Sequence, residues 1–210
     1  ITAGGTREPI DPVRFIGNRS TGAMGVALAE AARDRGADVT LISAHLEVPP
    51  PRGVRVIDVG TATELRSAVL EEFPTCDVFI SAAAVSDYRV ASPSAEKLKK
   101  SSGAPTIELI ENVDVLAEVA ASKGDRFVVG FAAETDSEHF QSELTRKATS
   151  KGVDLLVGNL VGESQGFGNN STDIVLVNSE GVRIDEISGS KTVVANGILD
   201  RVSRQKDSDR

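Results

Sequence analysis

Short apolar segments alternate with helical patterns along most of the chain. Residues 38–43 (DVTLIS) and 77–82 (DVFISA) are brief runs of apolar and β-branched side chains, which is the pattern of strands buried on both faces. The chain is therefore expected to contain a sheet of buried strands. Comparable runs bounded by turn residues predict further strands at residues 54–59, 106–110, 127–132 and 154–158.

Helices are predicted between these strands. Apolar residues recur at helical spacing from Met24 to Ala31. Thr21 stands where it could cap this helix, and Gly36 stands where the helix should end. The charged last six residues, QKDSDR, should fray. The same reasoning predicts helices over residues 62–73 after a Thr61 cap, from Asn112 or Asp114 to about 122, over 137–151 and over 191–204.

The regular alternation of strands and helices is typical of a doubly wound α/β domain. We expect a Rossmann-like, mostly parallel sheet with helices on both faces, because a helical crossover joins two parallel strands. Residues 173–178 and 182–187 differ, since they flank a Ser-Glu-Gly turn and predict a C-terminal β-hairpin. Ligands should bind at the carboxyl ends of the parallel strands.

Three segments of unusual sequence follow predicted strands and should meet at that edge of the sheet. The first is residues 15–25 (FIGNRSTGAMG) with the preceding residues 4–7 (GGTR), which are rich in glycine and lead into a helix. Backbone N–H groups there could bind an anion, because the helix dipole adds about half a positive charge at the helix start. We interpret this segment as a phosphate-binding loop, although such turns also occur where a helix only packs closely on a strand.

The second segment, residues 83–102, has no sustained hydrophobic period, and Pro93 interrupts it. It carries the densest group of positive charges in the chain, Lys97, Lys99 and Lys100. These lysines are either a solvated tip or part of a lid that is mobile without ligand. The third segment, residues 130–135, has the sequence GFAAET.

Composition narrows the function classes. With 210 residues, 40% of them hydrophobic, the chain can form one domain with a full core, so we expect a single domain over residues 1–210. A net charge of −8 argues against a broad nucleic-acid surface. The single cysteine, Cys76, excludes an internal disulfide, and the distant His45 and His139 do not predict a zinc site. No apolar run reaches the roughly 20 residues of a membrane helix, so no membrane contact is predicted and we expect a cytoplasmic protein.

The same segments limit the chemistry. They offer hydroxyls, backbone amides, an asparagine, an aspartate and lysines, without a Ser-His-Asp set, a close carboxylate pair or a cysteine beside a histidine. This set favours phosphoryl or nucleotidyl transfer, in which fixed positive groups stabilise charge on phosphate oxygens. A P-loop is excluded, because the sequence GxxxxGK[ST] is absent.

Four ordered motifs identify a family resemblance. The motifs are ITAGGTREPIDPVRFIGNRSTG, AAAVSDYR, EKLKK and VGFAAET, and with them the chain resembles the bacterial phosphopantothenate-cysteine ligases over essentially its whole length. In that family the domain is usually the C-terminal half of a bifunctional flavoprotein of coenzyme A biosynthesis. The resemblance implies a homodimer and an N-terminal flavin-dependent decarboxylase domain in the full-length protein. We therefore expect this chain, which starts inside an apparent strand, to be a fragment.

The resemblance implies a two-step ligation with CTP and Mg²⁺. CTP first activates the carboxylate of 4'-phosphopantothenate as an acyl-cytidylate and releases pyrophosphate. The amine of L-cysteine then displaces CMP and forms 4'-phosphopantothenoylcysteine. Asn18 and Lys97 are the implied catalytic residues, and the metal ligands stay unassigned. The implied nucleotide- and phosphate-binding residues are Ser20, Gly22, Ser81, Ala82, Ala83, Asp87, Ile110, Glu111, Asn112, Val113, Phe131, Lys147 and Lys151.

One position departs from the family pattern. Ala23 stands where the family commonly has lysine. Two interpretations are open: variation in a helix that tolerates alanine well, or loss of a positive charge that lowers the affinity for an anionic substrate.

Several of these residues also have purely structural interpretations. Asn18 could be a turn residue, Asp87 a member of a surface ion pair, and Phe131 a core aromatic. Lys147 and Lys151 are four positions apart, so they share one helix face and either bind one anion or are simply solvated.

Two other function classes compete with the ligase. An NAD(P)-dependent oxidoreductase would need GxGxxG and an acidic residue about 20 positions later, at the end of the second strand. The chain instead has GGTREP, and Ser43-Ala44-His45 stands at that strand end. A non-catalytic nucleotide-binding domain is the third alternative, which would bind nucleotide without releasing pyrophosphate.

Overall fold

The computed structural model describes residues 1–100, 103–161 and 171–208, apart from the side chains of residues 207 and 208. Among these residues, no helix is both long enough and apolar enough to cross a membrane. The helices are α1 (Ala23–Asp34), α2 (Ala62–Glu72), α3 (Val115–Ala121), α4 (Phe140–Lys151) and α5 (Lys191–Ser208), and a 3₁₀ turn (Phe73–Thr75) follows α2. The strands are β1 (Thr2–Gly4), β2 (Arg7–Pro9), β3 (Phe15–Gly17), β4 (Thr40–Ala44), β5 (Arg55–Val59), β6 (Val78–Ser81), β7 (Tyr88–Val90), β8 (Leu109–Glu111), β9 (Phe127–Glu134), β10 (Leu155–Leu160), β11 (Ser171–Asn178) and β12 (Arg183–Ser190).

The main sheet has the strand order β12-β11-β10-β9-β6-β1-β4-β5. Six of these strands are parallel to one another, namely β5, β4, β1, β6, β9 and β10. At the other edge β11 and β12 form an antiparallel hairpin. Numbered by their place along the chain, the six parallel strands lie in the order 3-2-1-4-5-6, which is the arrangement of the Rossmann fold. The predicted fold class and the C-terminal hairpin are both confirmed.

Helices cover both faces of this sheet and enclose two apolar cores. On one face α1 and α5 pack with Leu28 and Ile198 fully buried. On the other face α2, α3 and α4 pack around residues such as Leu144. Leu155 belongs to the first core and its neighbour Leu156 to the second. This alternation explains why the parallel strands are continuous apolar runs in the sequence.

The start of α1 differs from the prediction. Gly22, not Thr21, is the N-cap residue, and its backbone is in the left-handed region with φ 77°. Glycine reaches this conformation without the steric cost that a threonine would carry. At the other end Gly36, with φ 86°, follows the helix as predicted.

The other helix ends mostly follow their sequence signals. Thr61 and Glu64 form a reciprocal capping box at the start of α2, as expected for a Thr61 cap. Of the two candidates for α3, Asp114 is the cap and Asn112 is not. The predicted fraying of the charged end is wrong up to Ser208, where α5 ends, and the last two residues lie outside the described chain.

Two short antiparallel ribbons, β2–β3 and β7–β8, extend the carboxyl edge of the sheet. Both correct the sequence predictions, because β3 lies within the segment interpreted as a loop and β7 lies within residues 83–102. The strand predicted at residues 106–110 is the shorter β8, which pairs with β7 and not with the main sheet. Such pairing depends on contacts about 20 residues away, and a local hydrophobic period does not contain them.

A buried carboxylate fixes the first ribbon to the domain. Glu8 in β2 is 1% exposed, and its Oε1 accepts a hydrogen bond of 2.8 Å from the N–H of Ala62 at the start of α2. The neighbouring Arg7 N–H donates to the carbonyl of Gly60 at 2.9 Å. The β2–β3 ribbon therefore has a defined position beside the carboxyl ends of the parallel strands.

Candidate functional site

The carboxyl ends of β1, β6 and β9 lie side by side, and the winding of the sheet reverses between β1 and β6. The loops that leave β1 and β6 are hydrogen-bonded to each other. Ala84 N–H donates to the Gly4 carbonyl at 2.8 Å, and Thr6 N–H donates to the Ala84 carbonyl at 3.2 Å. In doubly wound folds this reversal creates the crevice in which ligands bind. Two of the three predicted segments thus converge in direct contact, while the third, residues 130–135, belongs to the neighbouring strand β9 as far as Glu134, so its interpretation as a turn after a strand ending at residue 132 is corrected.

Two buried threonines fix the loop after β6. Thr2 Oγ1 accepts a hydrogen bond from Ala83 N–H at 3.1 Å, and Thr6 Oγ1 accepts one from Ser86 N–H at 2.9 Å. Both threonines are fully buried. The backbone of residues 83–86, including the predicted nucleotide-binding Ala83, is therefore set by side chains of the ITAGGT motif, a role that sequence analysis did not assign.

Asn18 connects the glycine-rich segment to the same loop. Its exposed side-chain amide Nδ2 donates to the carbonyl oxygen of Val85 at 3.2 Å. The two residues are 67 positions apart, so this contact goes beyond the local role of a turn residue. Asn18 therefore lies where two of the predicted segments meet.

The first turn of α1 begins at this crevice. A Cβ at Gly22 would lie 2.2 Å from Leu46 Cδ2 and 3.1 Å from Gly4 Cα, so only glycine fits between the helix start and β1. The N-cap makes no side-chain hydrogen bond, although Ser20 Oγ accepts a long one, 3.3 Å, from Gly22 N–H. The positive end of the helix dipole therefore faces the carboxyl ends of the strands, where the predicted phosphate-binding Ser20 and Gly22 lie. Ala23 is the first residue of α1.

Hydrogen bonds join the two predicted nucleotide-binding stretches around Asp87 and Asn112. Asn112 N–H donates to the Asp87 carbonyl at 2.8 Å, and Asn112 Nδ2 donates to the Ser86 carbonyl at 2.9 Å. The Arg89 guanidinium donates to Asn112 Oδ1 at 3.0 Å and to the Glu111 carbonyl at 2.7 Å. Arg89 was not predicted as a site residue, since its partner lies 23 positions later. The Asp87 carboxylate itself is exposed at the mouth of the crevice.

Three other predicted residues pack against the cores. The half-buried Phe131 and Ala82 contact the core beneath α1 and α5, and Ala83 contacts the core on the opposite face. The structural interpretation of Phe131 as a core aromatic is therefore supported by its packing, although it lies within β9 and not at the end of the strand. Ser81, the last residue of β6, is half-buried next to them.

Each lysine of α4 is held by a carboxylate. Lys147 Nζ donates to Glu134 Oε1 at 2.5 Å, and Lys151 Nζ pairs with Asp114 Oδ2. Burial would raise the pKa of Asp114, but hydrogen bonds from Lys151 and from the Ala117 N–H outweigh it, so the pKa lies below its usual value. Both lysines lie on one face of α4 as predicted, yet in this structure they have different partners.

Lys97 lies on an exposed segment that contacts the loop of the β2–β3 ribbon. The next residue, Leu98, is hydrogen-bonded through its N–H to Asp11 at 3.1 Å and through its carbonyl to Arg14 at 2.8 Å. Ser94 N–H donates to the Ile10 carbonyl at 2.9 Å. The segment expected to be a mobile arm is thus anchored on both sides of Lys97.

The structure provides no preformed metal cage in the chain it describes. Within those residues, no group of three or more histidine, cysteine, aspartate or glutamate side chains is arranged to hold an ion. A divalent cation that acts with a nucleotide takes most of its ligands from phosphates and water.

Family comparison identifies the domain. Residues 1–205 match the model of the DNA/pantothenate metabolism flavoprotein C-terminal domain. The chain belongs to this family.

Relatives of this flavoprotein C-terminal domain include two bifunctional proteins. The chain is 47% identical to the coenzyme A biosynthesis bifunctional protein CoaBC of Mycobacterium tuberculosis over an alignment of 216 positions. This alignment covers 96% of this chain and 51% of the relative. It is 40% identical to CoaBC of Escherichia coli K12 over 212 residues, which cover 99% of this chain and 52% of the relative. The chain thus spans about half the length of these relatives.

A solved structure has the same fold. The crystal structure of the C-terminal domain of the coenzyme A biosynthesis bifunctional protein CoaBC superimposes with a TM-score of 0.82 at 33% identity. The match covers 99% of this chain and 94% of the solved domain. The flavoprotein C-terminal domain therefore accounts for the whole described architecture.

Proposed function

We propose that this protein is a phosphopantothenate-cysteine ligase of coenzyme A biosynthesis. The observation that carries the proposal is the hydrogen bond from Asn18 to the loop after β6, which unites two family motifs in one crevice. Family membership and relatives named for coenzyme A biosynthesis support the same assignment. On these grounds we also propose a cytoplasmic location and, in the full-length protein, an N-terminal flavin-dependent decarboxylase domain.

The proposed reaction has two balanced steps. A carboxylate oxygen of 4'-phosphopantothenate attacks the α-phosphorus of CTP, and the bond from that phosphorus to the pyrophosphate oxygen breaks. The amine of L-cysteine then attacks the acyl carbon of the cytidylate. The carbon–oxygen bond to CMP breaks, CMP leaves with the bridging oxygen, and the attacking amine loses one proton to solvent, so that the amide nitrogen keeps one hydrogen.

The chain's own residues would act mainly by positioning and by neutralising charge. The start of α1 with Ser20 and Gly22 would bind phosphate through backbone N–H groups. Asn18, fixed against Val85, would donate a hydrogen bond at the junction of the acyl and phosphate groups. Lys97 would neutralise the charge that develops as pyrophosphate leaves.

The nucleotide would be held by the joined loops around Asp87 and Asn112. Residues 81–83 and 110–113 would contact it largely through backbone groups, and the exposed Asp87 carboxylate is available to a ribose hydroxyl or base amine. Phe131 at the neighbouring strand would support the base. Lys147 and Lys151 would reach the phosphates by exchanging their present carboxylate partners for the ligand.

Mg²⁺ is proposed as the ion that accompanies CTP. The described residues form no preformed cage, which suits a cation held mostly by the triphosphate. When bound, the ion would offset negative charge on the phosphate oxygens.

A homodimer is the proposed assembly. Large apolar side chains are exposed on the two ribbons and beside them, at Val13, Phe15, Tyr88, Leu109 and Val113. Clusters of exposed apolar residues commonly mark protein interfaces. Analytical ultracentrifugation would then give twice the 22.0 kDa mass of the chain, while a monomer at every concentration would refute the dimer.

The function is tested by supplying CTP, Mg²⁺ and 4'-phosphopantothenate and measuring pyrophosphate. We expect pyrophosphate only when both substrates are present, about one equivalent per site without cysteine and many turnovers after L-cysteine is added. The same assay with ATP in place of CTP gives the nucleotide preference. Nucleotide binding without pyrophosphate would instead favour the non-catalytic domain.

A further inference from the structure

The buried carboxylate of Asp11 is the centre of a hydrogen-bond network, and neither the sequence motifs nor the proposed function assigned a role to this residue. Its side chain is fully buried. Oδ1 accepts from the N–H groups of Val13 and Arg14, both at 2.8 Å. Oδ2 accepts from Arg14 Nε at 2.9 Å and from the N–H of Leu98 at 3.1 Å, and it pairs with the other arm of the Arg14 guanidinium.

Most of these contacts are local, but the contact with Leu98 is not. Contacts to residues two and three positions later are those of an ordinary turn in which an aspartate caps its own backbone. Leu98 is 87 positions from Asp11, and a turn does not require it. Arg14 binds the carbonyl of the same residue at 2.8 Å, so both backbone groups of Leu98 are held.

Leu98 follows Lys97 directly in the sequence. We propose that Asp11 is a positioning residue which, with Arg14, holds the Lys97 segment at the crevice. The inference rests on the proposed function, because the role of Lys97 in pyrophosphate release comes from it. The second anchor, from Ser94 to Ile10, brackets Lys97 on the other side.

The physical benefit is preorganisation. An unanchored loop would have to lose conformational entropy at each of its residues every time Lys97 reached the leaving group, and this loss opposes the reaction. Charge-assisted hydrogen bonds to a buried carboxylate fix part of that loop before the substrate binds. Lys97 itself remains exposed, so its ammonium can move over the phosphates.

Asp11→Asn is the discriminating variant. An asparagine of the same shape keeps one oxygen for the turn, while its amide nitrogen cannot accept from Leu98 N–H or from Arg14. Asp11→Ser is a second variant that keeps a turn acceptor and removes the reach to Leu98. The matched control is Asp200→Asn, which removes an exposed aspartate paired with Arg35 far from the crevice.

Turnover tests whether Asp11 acts through Lys97. We expect Asp11→Asn to lower kcat about tenfold to a hundredfold with CTP affinity within about twofold of wild type. The double variant with Lys97→Gln should be no slower than Lys97→Gln alone, since the anchor has no purpose without the lysine. The positioning role would be refuted if the double variant lost kcat by the product of the two single losses. It would also be refuted if Asp11→Asn weakened CTP binding as much as it lowered kcat.

Trypsin cleavage after residues 97–100 tests the anchor independently of activity. We expect cleavage after Lys97, Lys99 and Lys100 to be about tenfold faster in Asp11→Asn and Asp11→Ser than in the wild type, and unchanged in Asp200→Asn. If the Asp11 variants are cleaved faster but the wild type releases no pyrophosphate, the anchoring role of Asp11 is supported and the ligase function is refuted. Unchanged cleavage in folded Asp11 variants would refute the anchor, whatever the activity.

Discussion

The side-chain amide of Asn18 donates a hydrogen bond to the backbone carbonyl of Val85 at a distance of 3.2 Å. The bond joins the glycine-rich segment before α1 to the loop after β6, which leave neighbouring strands. The Asn18 side chain therefore adds a contact between the two walls of the crevice to the hydrogen bonds that Gly4 and Thr6 make with the loop after β6.

This contact predicts the effect of Asn18→Asp. A carboxylate cannot donate to the Val85 carbonyl, and it adds a negative charge where phosphate should bind. We expect kcat for the ligation to fall about a hundredfold, which is the usual effect of losing one fixed hydrogen-bond donor to a developing charge. The unfolding temperature should not change, because Asn18 is exposed. Asn196→Asp on the distant helix α5 is the matched control. Equal activity of the two variants would mean that Asn18 acts only as a turn residue.

The ion pairs of α4 predict that Lys147 and Lys151 contribute to CTP affinity and that the neighbouring Arg146 does not. Lys147→Gln and Lys151→Gln should each raise the Kd for CTP about tenfold, which is about 1.4 kcal/mol, because each removes a cation that can reach phosphate. Arg146→Gln is the control on the same helix. Arg146 is exposed and pairs with Glu143, so we expect no change in CTP affinity. Calorimetric titration makes the comparison, and equal weakening in all three would mean that only net charge matters.

Restoring the family lysine predicts opposite effects on binding and stability. Ala23→Lys places a cation at the first residue of α1, beside the proposed phosphate site. We expect a severalfold lower KM for an anionic substrate, together with about 0.3–1 kcal/mol lower stability because a cation opposes the helix dipole there. Initial rates and chemical denaturation measure the two effects. An unchanged KM for both CTP and phosphopantothenate would favour neutral variation at this position.

The Asp11 network predicts how the anchor depends on pH. The Arg14 guanidinium, with backbone N–H donors, holds the pKa of the Asp11 carboxyl well below its usual range, despite burial. A lowered pKa in the folded state means that the stabilisation is complete above the unfolded pKa of about 3.9 and is lost as the pH falls below it.

Denaturation of wild type and Asp11→Asn at several pH values measures this dependence. The difference between their unfolding free energies should stay constant from about pH 7 to pH 5 and shrink below about pH 4. A difference that stays constant below about pH 4 as well would show that the pKa of Asp11 in the folded state is near its ordinary value.

The sequence predicted the sheet because each parallel strand carries a local signal. Leu155 and Leu156 face opposite cores, which makes their strand a continuous apolar run that is visible in the sequence. The pairing of the β7–β8 ribbon carried no such signal, since β7 is three residues long and its partner β8, although predicted as a strand, lies about 20 residues later.

The site was predicted through motifs, while its supporting contacts were not. Asn18 and Asp87 belong to recognisable motifs, and the structure places them on loops of one crevice. The role of Asp11 depends on Leu98, and that of Thr6 depends on Ser86, so neither could be inferred from neighbours in sequence. The binding role of Phe131 stays a prediction.

The central claim is that the carboxylate of 4'-phosphopantothenate is activated by transfer of a cytidylyl group. Substrate labelled with ¹⁸O in that carboxylate, converted with CTP and L-cysteine, tests it most directly, because the bridging oxygen leaves with the activating group. We predict one ¹⁸O atom in the phosphate of CMP. Label in inorganic phosphate, or amide formation with no label in CMP, would contradict the account.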